Sequence, residues 1–161
     1  MVSSADVRDD DGVAAWASLL RCHAALVGRL ETQLQAERGM SLAWYDVLLV
    51  LNGAPDRRLR MSALGERVVV SRTRVSRIVD EMVAAGLVCR EVDPSDRRGW
   101  FATLTRDGRA ALRRAAPVYL RGISTFFSQH LTEEEIRVIR DALERVTAQT
   151  VTPGKTADAS G

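Results

Sequence analysis

Helix-period apolar patterning surrounds a single stretch of strand-forming sequence, and that interruption most narrows the folds open to this chain. Residues 87–93 are rich in strand formers, residues 94–99 (Pro-Ser-Asp-Arg-Arg-Gly) carry turn chemistry, and residues 100–104 read as the returning strand. On either side, apolar residues recur every three or four positions. From Val13 to Arg38 they are Val13, Trp16, Leu19, Leu20, Leu26, Val27, Leu30 and Leu34, a helix that Gly39 ends. Ser41 predicts the cap of a second helix bearing Leu42, Tyr45, Leu48, Leu49 and Leu51, closed by Gly53 and Pro55. This helix is apolar almost all round and belongs at the centre.

A short extended piece, Leu59-Arg60-Met61, comes next. Ser62 is expected to cap a brief helix to about Val68, Val69-Val70 to connect, and Ser71 to open a helix to Ala85 with Gly86 as its left-handed stop. Beyond the hairpin, Thr105 caps a long helix bearing Leu112, Ala116, Tyr119, Ile123 and Phe127, interrupted by Pro117, which should kink it. Thr132-Glu133-Glu134-Glu135 is a capping box that opens a last helix with Ile136, Ile139, Leu143 and Val146. The class is therefore mainly α with a small β wing, and the middle elements follow the order of a winged helix-turn-helix. A flexible tail over residues 1–12, one domain over 13–147 and a disordered, small and polar tail over 148–161 complete the expected layout.

Several function classes drop out. A chain of 161 residues fits one domain with a real core. The longest apolar run, Val47 to Leu51, is far short of the roughly 18–20 residues of a spanning helix. The polar, acidic start is neither a secretory signal nor a basic transit peptide. Two cysteines make no disulfide framework, which points to a reducing cytoplasm. No two glycines are closer than seven residues, so neither standard phosphate-cradling loop is present. The two histidines have no metal spacing or nucleophile motif beside them, so an enzyme is the weakest reading and no metal or cofactor is expected.

The net charge of +2 hides a strong segregation. Residues 1–56 hold four Arg and eight acids, a balance of −4; residues 57–114 hold fourteen Arg and seven acids, +7; residues 115–161 come to −1. A basic centre between acidic flanks suggests one face for a polyanion and another for a different partner. Within that centre, Val75, Ile78, Val79 and Met82 form the apolar face of the 71–85 helix, and the rest presents Arg72, Thr73, Arg74, Ser76 and Arg77. Arginine in a first helical turn is mildly unfavourable against the helix dipole. A phosphate or guanine edge there reverses the sign, because backbone N–H groups, dipole and guanidinium groups then all face negative charge. Arg suits bidentate contact with guanine, and Ser and Thr suit phosphates or thymine edges.

The turn Asp93-Pro94-Ser95-Asp96-Arg97-Arg98-Gly99 is the most specific motif. Two arginines at a narrow hairpin tip can reach a minor groove, and Asp96 could hold Arg98 extended. With residues 71–80, Ala85-Gly86-Leu87-Val88, this turn and Leu104-Thr105-Arg106-Asp107-Gly108, the chain resembles the MarR (multiple antibiotic resistance regulator) family of transcriptional regulators, from about Val13 to Val146. The resemblance implies a winged helix-turn-helix core at about 42–105, flanked by dimerisation helices at about 13–38 and 106–147. It implies an obligate homodimer on a palindromic double-stranded DNA operator, with helix 71–85 in the major groove. The wing tip would lie in the minor groove, Asp96 and Arg98 being the wing pair of the family.

Such regulators typically answer small aromatic ligands or oxidants. Trp16, His23, Trp44, Tyr45 and Tyr119 are the candidates to line a ligand crevice, against a reading as ordinary core or interface aromatics. Cys22 offers a redox alternative, although Ala17 holds the sensor position of peroxide-sensing relatives; its other reading is an inert thiol. Cys89 is expected in the core or on a strand face. The sequence thus reads as a cytoplasmic, homodimeric repressor released by a small ligand. A thiol-based redox regulator and a winged-helix module that binds protein are the alternatives.

Overall fold

Tyr45, Val47, Leu48 and Leu51 are buried in helix α2 (Leu42–Asn52), the centre around which the other elements pack. A computed structural model describes residues 4–68, 72–94 and 96–150, without the side chains of residues 4–9, 72, 73, 97 and 98. Its elements run α1 (Ser4–Arg38), α2, a 3-10 turn (Pro55–Arg57), β1 (Arg58–Arg60), α3 (Met61–Arg67), α4 (Arg72–Ala84), β2 (Val88–Asp93), β3 (Asp96–Leu104), α5 (Arg106–Phe126), a second 3-10 turn and α6 (Glu133–Thr150). The three strands form one antiparallel sheet in the order β1-β3-β2. The fold is a winged helix flanked by long helices. No helix among the described residues is long and apolar enough to cross a membrane.

Local chemistry accounts for most of the boundaries. Gly39 takes φ +60 after α1, and the Ser41 side chain accepts a hydrogen bond from the Trp44 N–H at the start of α2. The Thr132 hydroxyl accepts from the Glu135 N–H at 3.3 Å, and the Glu135 carboxylate accepts from the Thr132 N–H at 2.8 Å, a reciprocal capping box. Arg121 donates to both carboxylate oxygens of Glu37 at 2.8 and 2.6 Å, which ties α5 to α1. That guanidinium holds the Glu37 carboxyl below its ordinary pKa. Gly122 sits at the same crossing, where a Cβ would lie 2.6 Å from a Leu30 methyl.

Five expectations are corrected. Helix α1 begins at Ser4, so residues 4–12 continue the helix instead of forming a flexible tail. The short strand is Arg58–Arg60, and α3 begins at Met61 with Arg60 in the cap position, so Ser62 lies inside the first turn and caps nothing. Pairing of Arg60 with Phe101 keeps the backbone extended up to that point. The hairpin turn is tighter than residues 94–99, because Asp93 pairs with Asp96 and residues 96–99 belong to β3. Pro117 does not interrupt α5. Finally, α6 continues past residue 147 to Thr150. The connection at Val69-Val70, the Ser71 cap, Ser95 and the tail from residue 151 lie outside the described residues.

Candidate nucleic-acid interface

Helix α4 divides into two faces. Val75, Ile78, Val79 and Met82 are buried against the core, while Arg74, Ser76 and Arg77 are exposed. The Arg77 side chain is 84% exposed and pairs with Glu81 one turn on, at 3.1 Å. The helix ends in a Schellman arrangement: the Leu87 N–H donates to the Met82 carbonyl and the Gly86 N–H to the Val83 carbonyl, each at 2.9 Å, with Gly86 at φ +73. That left-handed residue swings the chain directly into β2.

Ion pairs fix the hairpin against the helices. The Arg90 Nη2 donates to Ser76 Oγ at 3.2 Å and to the Ser76 carbonyl at 3.3 Å, and it pairs with Asp80 Oδ1 at 2.8 Å. Strand β2 is thereby tied to two successive turns of α4. Arg60 pairs with the buried Asp93 at the narrow end of the hairpin, and Arg58 with Glu91 at 3.6 Å. The Arg58 guanidinium also lies 5.0 Å from the centre of the Phe101 ring. Asp96 is exposed at the start of β3, which also carries Arg97 and Arg98. The side chains of Arg72, Thr73, Arg97 and Arg98 lie outside the described residues, and with them the expected Asp96–Arg98 pairing.

The base of the wing is a close-fitting joint. Thr105 caps α5 by accepting from the Gly108 N–H at 2.9 Å, and its hydroxyl donates towards the Gly86 and Leu87 carbonyls at 2.8 and 2.9 Å. A Cβ on Gly108 would lie 2.0 Å from the Leu87 carbonyl oxygen. The Leu-Thr-x-x-Gly motif is therefore the hinge-pin between α4, the wing and α5.

The expected ligand residues do not converge. Trp44 lines a cavity of about 420 Å3 between α1, α2 and α4, beside Glu31, Arg74, Arg77 and Glu81. Tyr45 is buried with its ring 4.5 Å from that of Tyr119, and burial pushes both hydroxyls above their ordinary pKa. Trp16 and His23 stand exposed on α1 and do not line this cavity. Cys22 is also exposed, in a separate hollow of about 550 Å3 beside Arg29, Phe126 and His130. Cys89 is half-buried on β2, where burial first and Glu91 second push its thiol up and disfavour the reactive thiolate. Among the described residues no group of His, Cys, Asp and Glu could hold a metal ion.

A family model described as MarR family matches residues 38–99, which hold α2 through the wing turn. The Streptomyces coelicolor protein Sco3205, a MarR-family transcriptional regulator solved in complex with DNA, is 30% identical. The match covers 99% of this chain and 96% of that one, with a TM-score of 0.81. The chain belongs to the MarR family. AbsC, another MarR-family regulator of S. coelicolor, is 29% identical over 93% of this chain and 97% of its own, with a TM-score of 0.78. The HTH-type transcriptional repressor YetL of Bacillus subtilis is 28% identical over 70% of this chain and 69% of its own length.

As a MarR-family protein the chain is a DNA-binding transcriptional regulator and not an enzyme. Sequence reasoning found the exposed arginines of α4 and the wing turn. It missed Arg90, Asp93 and Phe101, which hold those arginine-bearing elements in place. Strand alternation was the available signal for Arg90: it shares a face of β2 with the buried Val88, the face turned to α4.

Proposed function

We propose that this regulator is a homodimeric repressor that places two copies of α4 in major grooves of a palindromic operator and is released by a small aromatic ligand. The observation that carries the reading is the division of α4, with four apolar residues buried and Arg74, Ser76 and Arg77 outward. In this reading Arg77 and Arg74 address base edges or nearby phosphates, with Arg72 and Thr73 at the helix N-terminus. Ser76 has a double task, since its hydroxyl also receives Arg90. Asp96, Arg97 and Arg98 present the wing to the flanking minor groove.

The dimer is supported by helix α6, an amphipathic helix of 18 residues with no buried residue within the protomer. Val146 on α6, Leu120 on α5 and Trp16 on α1 are each at least 60% exposed, so the apolar stripes of three long helices lack cover in one chain. Ligand release is supported by the cavity at Trp44, which shares Arg74 and Arg77 with the DNA-facing surface. An aromatic anion stacked there would draw on the same guanidinium groups. Repression is supported by the likeness to YetL, and the expected place of action is the cytoplasm, with the chromosome.

Footprinting on the intergenic DNA flanking the protein's own gene tests this reading. The expected result is a symmetric protected region with half-sites about one DNA turn apart, lost on adding an aromatic acid and retained with peroxide. Peroxide-dependent release abolished by Cys22→Ser would transfer the sensing role to the thiol. No protection at any salt concentration, together with capture of a protein partner, would replace the reading with a protein-binding module.

A further inference from the structure

A second basic cluster lies away from both DNA-directed tips. Arg57, Arg106, Arg109 and Arg113 line one hollow of about 330 Å3 together with Leu104 and Thr105. The three α5 arginines are spaced three and four residues apart and so share a face. Arg57 reaches the same hollow from the turn before β1, where Asp56 and Arg57 both take left-handed backbone, φ 51 and 53. The arginines nearby are neutralised: Arg58 by Glu91, Arg60 by Asp93 and Arg90 by Asp80. Among the described residues, none of the four around the hollow is in an ion pair.

The position separates this cluster from the operator surface. Thr105 binds the Gly86 carbonyl, which puts the hollow at the C-terminal end of α4. The DNA-directed end of that helix is about 20 Å away, from its thirteen residues at 1.5 Å each. The hairpin turn lies at the far end of β3, roughly 26 Å off. Four like charges around one concavity repel each other until an anion enters, and a single negative charge would leave most of that repulsion in place. Guanidinium groups pair with phosphate oxygens in forked geometry, and four of them match an anion with two linked phosphates.

We propose that this hollow binds a diphosphate group, either as free pyrophosphate or as part of a nucleotide, at a site separate from the DNA surface. The proposal does not depend on the operator or effector reading above. Titration calorimetry of the full chain at fixed ionic strength, with pyrophosphate, ADP and orthophosphate as probes, tests it. One pyrophosphate per chain is expected, bound at least tenfold more tightly than orthophosphate. The double variant Arg109→Gln/Arg113→Gln should weaken it at least tenfold, as should Arg57→Gln, which lies outside any α-helix. Arg137→Gln/Arg140→Gln removes the same charge from α6 and should leave it unchanged. ADP binding as tightly as pyrophosphate assigns the site to nucleotides, and weaker ADP binding assigns it to the free anion. Absence of saturable heat, or equal loss in the α6 variant, would overturn the proposal.

Discussion

Arg77 and Gly108 are both motif residues, yet opposite physical arguments apply to them. Arg77 is almost wholly in solvent, and its pair with Glu81 is an exposed i,i+4 contact of the kind that contributes only a few tenths of a kcal/mol. Arg77→Ala should therefore leave thermal unfolding nearly unchanged while costing about 1–3 kcal/mol in operator binding if the guanidinium reads a base. A gel shift against specific and random DNA checks it, and equal loss on both would make Arg77 a phosphate contact. Gly108 inverts this pattern. Its missing Cβ is what lets α5 approach the Leu87 carbonyl, where the added atom would lie at 2.0 Å. Backbone does not yield as a side-chain end does, so Gly108→Ala should destabilise the fold by about 1–3 kcal/mol, read by urea denaturation. Any fall in DNA binding should follow that loss, since Gly108 faces the joint and not the ligand.

Helix ends show how far local sequence rules reach. The capping box at Thr132 was legible because every group it needs lies within four residues, and the hydrogen bonds are all present. Hydrogen bonds from Thr132, backbone first, hold the Glu135 carboxyl below its ordinary pKa. A depressed carboxylate pKa contributes stability that is present above the unfolded value and lost as pH falls through the folded one. Thr132→Ala removes the hydroxyl cap and should lower stability by about 1 kcal/mol at neutral pH, read by chemical denaturation. Because the N–H of residue 132 still reaches the carboxylate, the variant should keep most of the acid dependence of the parent. Ser41, Thr105, Gly39 and Gly86 were legible for the same reason. Ser62 was not, because the start of α3 is set by the pairing of Arg60 with Phe101, forty-one residues on in sequence, which no local cap signal records. Pro117 misled for a related reason: the neighbouring Ala115 and Val118 are buried in the core, and that packing carries the helix across one missing donor. Among the site residues, the outward arginines of α4 could be read from periodicity, whereas the Arg90–Asp80 tie depends on how β2 lies across the helix.

At the scale of the whole molecule, charge and apolar surface are sorted to different places. The +7 stretch holds β1, α3, α4, the wing strands and the first turns of α5, and the acidic stretches contain α1 and α6. Those same long helices expose apolar residues that the protomer leaves uncovered, Val13, Trp16 and Leu20 on α1 and Val138, Leu143 and Val146 on α6. In the proposed dimer these stripes would be covered, and two copies of α4 held at a fixed separation would bind through one pooled phosphate contact area. Leu143→Glu puts a charge into the stripe of α6 without touching α4 or the wing. Sedimentation should then show the dimer dissociating, while the circular dichroism of the chain changes little. Operator affinity should fall by far more than nonspecific affinity, and the slope of log K against log salt should drop towards half, since each separated protomer neutralises only its own phosphates. A variant that dissociates yet keeps the full salt slope and affinity would mean that one protomer makes all the contacts, and the palindromic arrangement would have to be abandoned.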